Sequence, residues 1–211
     1  MKTLLECDGI FLDELFIPAF RLKTGEVLCW NLPGPIDWEW EELLVRRLTG
    51  SHSESVRLFG KVFMVDPGTW SVKGFWQRLR SRFHRPLVVN KLAKEAGITK
   101  DQAGILAQRH GVSTKDRLWG ISQNPRVLLA LEIAWARRAD VVVFSTSGCD
   151  PIGIRAIYHE IQAHLQHIAA IELCYPTWTQ GRTVRICFPG ATCLEITKQT
   201  PESSLVTPER M

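Results

Sequence analysis

The sequence predicts an α/β fold: a sheet core wound with helices and carrying a small, mostly helical lobe. Three observations lead there. Val141-Val142-Val143-Phe144 is a short apolar run, the pattern of a strand buried on both faces of a parallel sheet. The turn Ser145-Thr146-Ser147-Gly148-Cys149 leads from it into a helix opened by Asp150-Pro151, an N-cap followed by a residue pre-organised for the first helical position. Another helix, Asn124 to Arg138, opens with Asn-Pro in the same way and ends just before the strand. Helix, buried strand, turn and helix make up half of a doubly wound domain.

The remaining elements follow in chain order. Residues 3–12 and 26–31 read as strands, with the turn Lys23-Thr24-Gly25 before the second. A loop from Leu32 then enters a helix that closes at Leu48-Thr49-Gly50. Residues 56–65 suggest two short strands, or one broken at Gly60, before the turn Asp66-Pro67-Gly68. The helical lobe spans about 69–135 and includes helices over 88–96 and 99–109, broken at Gly97, capped by Thr99 and ended by Gly111. Residues 168–174 form a second buried strand, and 183–187 and 191–196 close the sheet around Pro189-Gly190. One domain is expected over 1–197, with a mobile polar tail over 198–211.

Composition bounds the function. A chain of 211 residues buries roughly 70% of its unfolded surface and needs no staples. A net charge of +4 is too mild to point to nucleic acid or an anionic membrane by itself. Six cysteines (Cys7, Cys29, Cys149, Cys174, Cys187, Cys193) are scattered without a Cys-x-x-Cys pair, so reduced thiols in a cytoplasmic protein are expected. Glu6 and Asp8 interrupt the apolar start, which argues against a signal peptide, and no apolar run approaches the ~18 residues of a bilayer span. His164 and His167 share a helix face one turn beyond Glu160, and His159 is near. With no fourth ligand in the pattern they read as a solvated face, and no metal is expected.

The order of motifs resembles the ATP-binding domain of ABC transporters. Ser147-Gly148-Cys149-Asp150-Pro151 is similar to that family's Ser-Gly-Leu-Asp-Pro loop, and Arg137-Arg138-Ala139-Asp140 to its approach to the preceding strand. Gly34-Pro35 and Leu48-Thr49-Gly50 resemble the frame of its phosphate loop, and Leu118-Trp119-Gly120-Ile121-Ser122-Gln123 stands where its signature stands. The resemblance implies a P-loop NTPase-like core. The nucleotide chemistry departs from the pattern. Trp38 and Trp40 stand where glycines would cradle a phosphate, and Glu41 or Glu42 where Lys and a hydroxyl belong. Carboxylates there already satisfy the helix dipole that would attract an anion. No Gln follows Val65, and no acid pair closes the strand at Val143-Phe144. Cys174-Tyr175 replaces the family's Ser-His switch. In the signature, Ile121 is expected to crowd a phosphate.

The expected function is therefore a pseudo-ATPase, an ABC ATPase-like subunit without turnover or cofactor that acts as scaffold or regulator. The resemblance implies an ATPase partner subunit, transmembrane subunits, or a second copy of the chain, at the inner face of a membrane. Ser147, Gly148, Cys149 and Asp150 are its expected interface, because the family's corresponding loop crosses the dimer seam. Trp76, Arg78 and Arg82 join them, from a basic, aromatic stretch in the lobe that grips transmembrane subunits in that family. The alternative is a nucleic-acid-associated protein using residues 70–85 for phosphate contacts and base stacking.

Overall fold

A computed structural model describes residues 1–12, 15–33, 55–65, 87–117, 120–179 and 182–198. At its centre is a five-stranded sheet in which every neighbouring pair is parallel. Across the sheet run β12 (Thr192–Glu195), β5 (Val27–Asn31), β9 (Ala169–Cys174), β8 (Val141–Phe144) and β7 (Val62–Val65). Every residue of β5, β8 and β9 is buried, which is why these segments run nearly unbroken in apolar residues.

One face of this sheet packs on antiparallel strands. β4 (Phe20–Lys23), β1 (Thr3–Cys7) and β6 (Val56–Leu58) form one small sheet; β13 (Thr197–Lys198), β3 (Leu15–Ile17) and β2 (Ile10–Leu12) form another. Leu4, Leu5, Ile17 and Leu22 from these strands share a core with Leu28, Trp30, Val143, Ile171 and Leu173. The opposite face is covered by α3 (Gln123–Ala136) and α4 (Pro151–His164), whose Val127, Leu131, Ile157 and Ile161 meet Val142, Phe144 and Ala170. Burying side chains of this size stabilises the fold by about 1.5–3 kcal/mol each.

The helical lobe contributes α1 (Val88–Ala96) and α2 (Lys100–Arg109), which set Val88, Leu92, Ala103 and Ala107 against Leu129 and Ile133 of α3. Because α3 lies between sheet and lobe, every position from Val127 to Ala134 is buried, and the helix is apolar on nearly all sides. Arg137 ties the end of α3 to the lobe: its Nη2 donates to Glu95 Oε2 at 2.8 Å, and its guanidinium lies over the Phe63 ring. The start of α2 is a capping box in which Thr99 and Gln102 bond each other's backbone N–H groups.

The α/β architecture, the parallel core and the helical lobe agree with the sequence reading. The strand expected over 3–12 is two strands, broken at Asp8-Gly9, and the segment 56–65 is indeed split at Gly60. The strand expected over 183–187 stops at Val184, where β11 (Arg182–Val184) pairs with β10 (Thr177–Thr179) as a hairpin. Beyond it the chain turns across the end of the main sheet, and the Phe188 N–H donates to Glu172 instead of continuing a ladder. Lys198, where the tail is expected to begin, pairs with Leu15. Among the described residues no helix is long and apolar enough to cross a membrane.

Candidate functional site

Polar side chains gather at the C-terminal edge of the parallel sheet, on its helix-covered face. Side chains alternate along a strand, so Val27, Cys29 and Asn31 of β5 share a face, as do Ala170, Glu172 and Cys174 of β9. Register does the rest: Cys29 lies opposite Glu172 on one side and Cys193 on the other, while Asn31 lies opposite Cys174 and Glu195. Deep in the sheet this row is apolar, with Val27 and Ala170 under the helices. At its outer end it becomes thiol, amide and carboxylate.

Glu172 is completely buried. Its Oε1 accepts from Tyr158 Oη at 2.7 Å and from Thr146 Oγ1 at 3.1 Å, and its Oε2 accepts from the Phe188 N–H at 2.6 Å. Burial raises its pKa above the ordinary carboxylate range although these donors act in the opposite direction. Burial and the facing carboxylate also push the Tyr158 hydroxyl up. With its oxygens occupied by protein donors, Glu172 orders the site from inside and offers no face to a substrate.

The thiols converge around Cys29. Its Sγ lies 2.9 Å from Cys174 Sγ and 2.7 Å from Cys187 Sγ, and Cys193 joins Cys29 and Cys187 with all three sulphurs within 4.8 Å of one another. Cys29, Cys174 and a Glu172 oxygen satisfy the same limit. Neighbouring thiols donating to Cys29, Cys174 foremost, bring its pKa down to about 7. The proton stays on its neighbours: Cys174 is pushed up, chiefly by the Cys29 contact, and burial raises Cys187 to about 12. Asn31 Oδ1 stands 3.6 Å from Cys29 Sγ, and its amide donates to Glu195, which pairs with Arg185. Scattered in sequence, these cysteines gave no spacing pattern to read; the parallel register assembles Cys29, Cys174 and Cys193, and the connection before β12 adds Cys187.

The β8–α4 turn borders this edge. Ser147, Gly148 and Asp150 are exposed and Cys149 is half-buried, its pKa raised to about 11 by burial. Gly148 has φ +78°, the left-handed region that glycine enters without strain. Asp150 caps α4 by accepting from the Gly153 N–H at 2.8 Å; that bond, with one from Asn124, holds its carboxyl below the usual range. Asn124 Oδ1 accepts from the Asp150 N–H, and Gly153 passes so close to Asn124 that a methyl group there would overlap its amide. The turn is thereby fastened to the first turn of α3.

In the signature-like segment Ile121 is buried among the lobe helices, and Ser122 caps α3 without a side-chain bond. His159 and His167 are exposed as expected, but the solvated face does not extend to Glu160, which is buried, or to His164, which is half-buried and stacks on Trp135 with centroids 4.2 Å apart. A polar knot beside them, unread in the sequence, joins His110 Nε2 to the buried Glu132 at 2.8 Å, with Arg109 bridging Glu132 and Glu160. Gly34, Trp38, Trp40, Glu41, Glu42, Trp76, Arg78 and Arg82 lie outside the described residues.

No protein-family model matches the sequence, and no curated protein matches it. Solved structures do. The chain is similar to one from a structure described as an inward-facing conformation of a metal-chelate type ABC transporter, at TM-score 0.59 and 11% identity, covering 88% of this chain and 83% of that one. It is also similar to the ATP binding subunit of an ABC transporter, at TM-score 0.54 and 10% identity, covering 87% and 89%. The likeness is one of fold: an ABC ATPase-like, P-loop NTPase-like α/β core.

Proposed function

We propose that this ABC ATPase-like chain does not turn over ATP and works as a scaffold or regulator, paired with a competent ATPase subunit or docked on a membrane transport complex. The observation that carries the reading is the end of β8. In the resembled family that strand presents the acids that hold magnesium and polarise water. Here it ends in Val143-Phe144, with Phe144 fully buried edge-on to Tyr158. The carboxylate beside it, Glu172, comes from β9 and is consumed by Tyr158, Thr146 and Phe188. The substitutions in the phosphate loop point the same way.

The exposed turn Ser147–Asp150 is the docking surface in this reading. The 81% exposure of Ile152, in the first turn of α4, adds an apolar contact beside it. Trp76, Arg78 and Arg82 remain part of the proposal for transmembrane partners.

Calorimetry on the purified chain is expected to find no binding of ATP-magnesium, and phosphate release should be absent. Micromolar affinity that disappears on changing Glu41 and Glu42 overturns the reading. Affinity purification at native expression should recover a stoichiometric ATPase or membrane subunit, and Ser147→Trp should release it while the chain stays folded. Gly148 is a poorer probe because any side chain there is strained at φ +78°. Recovery of salt-sensitive nucleic acid in place of protein would move the function to residues 70–85.

A further inference from the structure

We propose that Cys29, Cys174, Cys187 and Cys193 form a thiolate site for a soft divalent metal of the zinc type, at the C-terminal edge of the parallel sheet. The argument begins with number and placement. Three ligands come from three adjacent parallel strands, and the fourth, Cys187, comes from the connection that folds over their ends. Cys29 is the hub, in contact with two other sulphurs at once and directly opposite a third thiol on β12. A disulfide accounts for only two of four thiols. A tetrahedral ion accounts for all of them.

Distances agree with this reading. The Cys29 contacts of 2.7 and 2.9 Å are far longer than a covalent sulphur–sulphur bond of about 2.05 Å. They are also shorter than the roughly 3.5–4.0 Å at which non-bonded heavy atoms rest. Zinc 2.3 Å from each of four sulphurs would space them by about 3.8 Å, so Cys29 has to part from Cys174 and Cys187 by about 1 Å, and Cys174, which lies outside the Cys29–Cys187–Cys193 group, has to turn toward it.

Chemistry selects the ion. Thiolates favour zinc and other soft cations over magnesium or calcium. Glu172, the nearby oxygen ligand, is already committed to three donors and acts as a support. Asn31 sits behind Cys29 and Cys187, fixed by Glu195 and Arg185, as an outer-shell group would be. Binding needs no electron transfer. Each thiol that coordinates gives its proton to water, so affinity falls as pH falls.

The site draws on three strands and one connection. It fastens β5, β9, β12 and the 185–191 connection to one another. Its role is to lock the open end of the sheet.

The test uses the full chain, reduced, stripped of metal and titrated with cobalt(II) as a spectroscopic probe. One equivalent is expected to give the absorption of tetrahedral cobalt with thiolate charge transfer, and one equivalent of zinc should displace it. Cys193 is exposed, so Cys193→Ser should fold normally while weakening binding by about tenfold or more. Cys29→Ser should abolish the signal, and Cys149→Ser, outside the cluster, should leave it intact. Zinc should also raise the thermal midpoint of the unaltered chain and fail to raise that of Cys29→Ser. The proposal falls if no tetrahedral signal appears, or if the signal survives when Cys29 and Cys193 are both replaced. It falls equally if the chain isolated under reducing conditions carries a disulfide at Cys29.

Discussion

Glu172 shows how one residue can be read in both its fold and its titration. Glu172→Leu strands the Phe188 N–H and the hydroxyls of Tyr158 and Thr146, and should cost about 2–4 kcal/mol in denaturant unfolding. Glu172→Gln should cost about 1 kcal/mol or less. Its amide oxygen can take the Phe188 N–H while its NH2 faces two hydroxyls that turn to accept. The pH dependence carries a definite sign. The folded carboxyl holds its proton more tightly than the unfolded one, so in the window between the two pKa values the native state carries more protons. Stability therefore falls as pH rises from the ordinary carboxylate range through the raised value, and levels off above it. Glu172→Gln should remove that slope; a slope unchanged in the variant would show that another group produces it. This residue was legible as an anomaly, a lone acid inside the apolar run Ile168–Cys174.

Between elements, the decisive contact is the crossing of α3 and α4 at their N-termini. An Ala in place of a helical Gly is ordinarily favourable by about 1 kcal/mol. Gly153→Ala should instead destabilise, by about 1–3 kcal/mol, because its methyl group meets the Asn124 amide that holds Asp150. Gly153→Ala combined with Asn124→Ala should recover part of that loss, measured as a double-mutant cycle. If the single variant is stabilising, the close crossing is wrong. Elements of this kind were legible where they announce themselves locally: the Asp150-Pro151 and Thr99 caps, the run of β8, the break at Gly60. Their contacts were not. Nothing in the sequence around Gly153 says that an asparagine 29 positions earlier will touch it. The thiol cluster stayed hidden for the same reason, since its ligands meet only through strand register and the fold of the connection that carries Cys187. Its one trace is a polar residue at every second position at three strand ends: Cys29-x-Asn31, Glu172-x-Cys174 and Cys193-x-Glu195.

At the scale of the molecule, β5 is shielded on one side by β9 and on the other by β12 alone. A chain ending at Gly190 loses β12 and exposes the backbone edge of Val27–Asn31, a fully buried apolar strand. Such a chain is expected to aggregate on expression, while its fusion to a soluble carrier should still leave it bound to hydrophobic dyes. A soluble, monomeric truncation would mean that β12 is dispensable. The same arrangement has a consequence for how the protein is made. Asn31 and Glu195 touch across 164 positions, so β5 leaves the ribosome well before the strand that completes its edge. Synthesis at about 5–20 residues per second makes that delay many seconds, far longer than a hairpin needs to form. During it, β5 has an unsatisfied edge and is open to any strand that pairs sooner. A nascent chain of this topology therefore needs either a holding chaperone or early docking of its neighbours, and its yield in the cell should be set by translation speed as much as by stability.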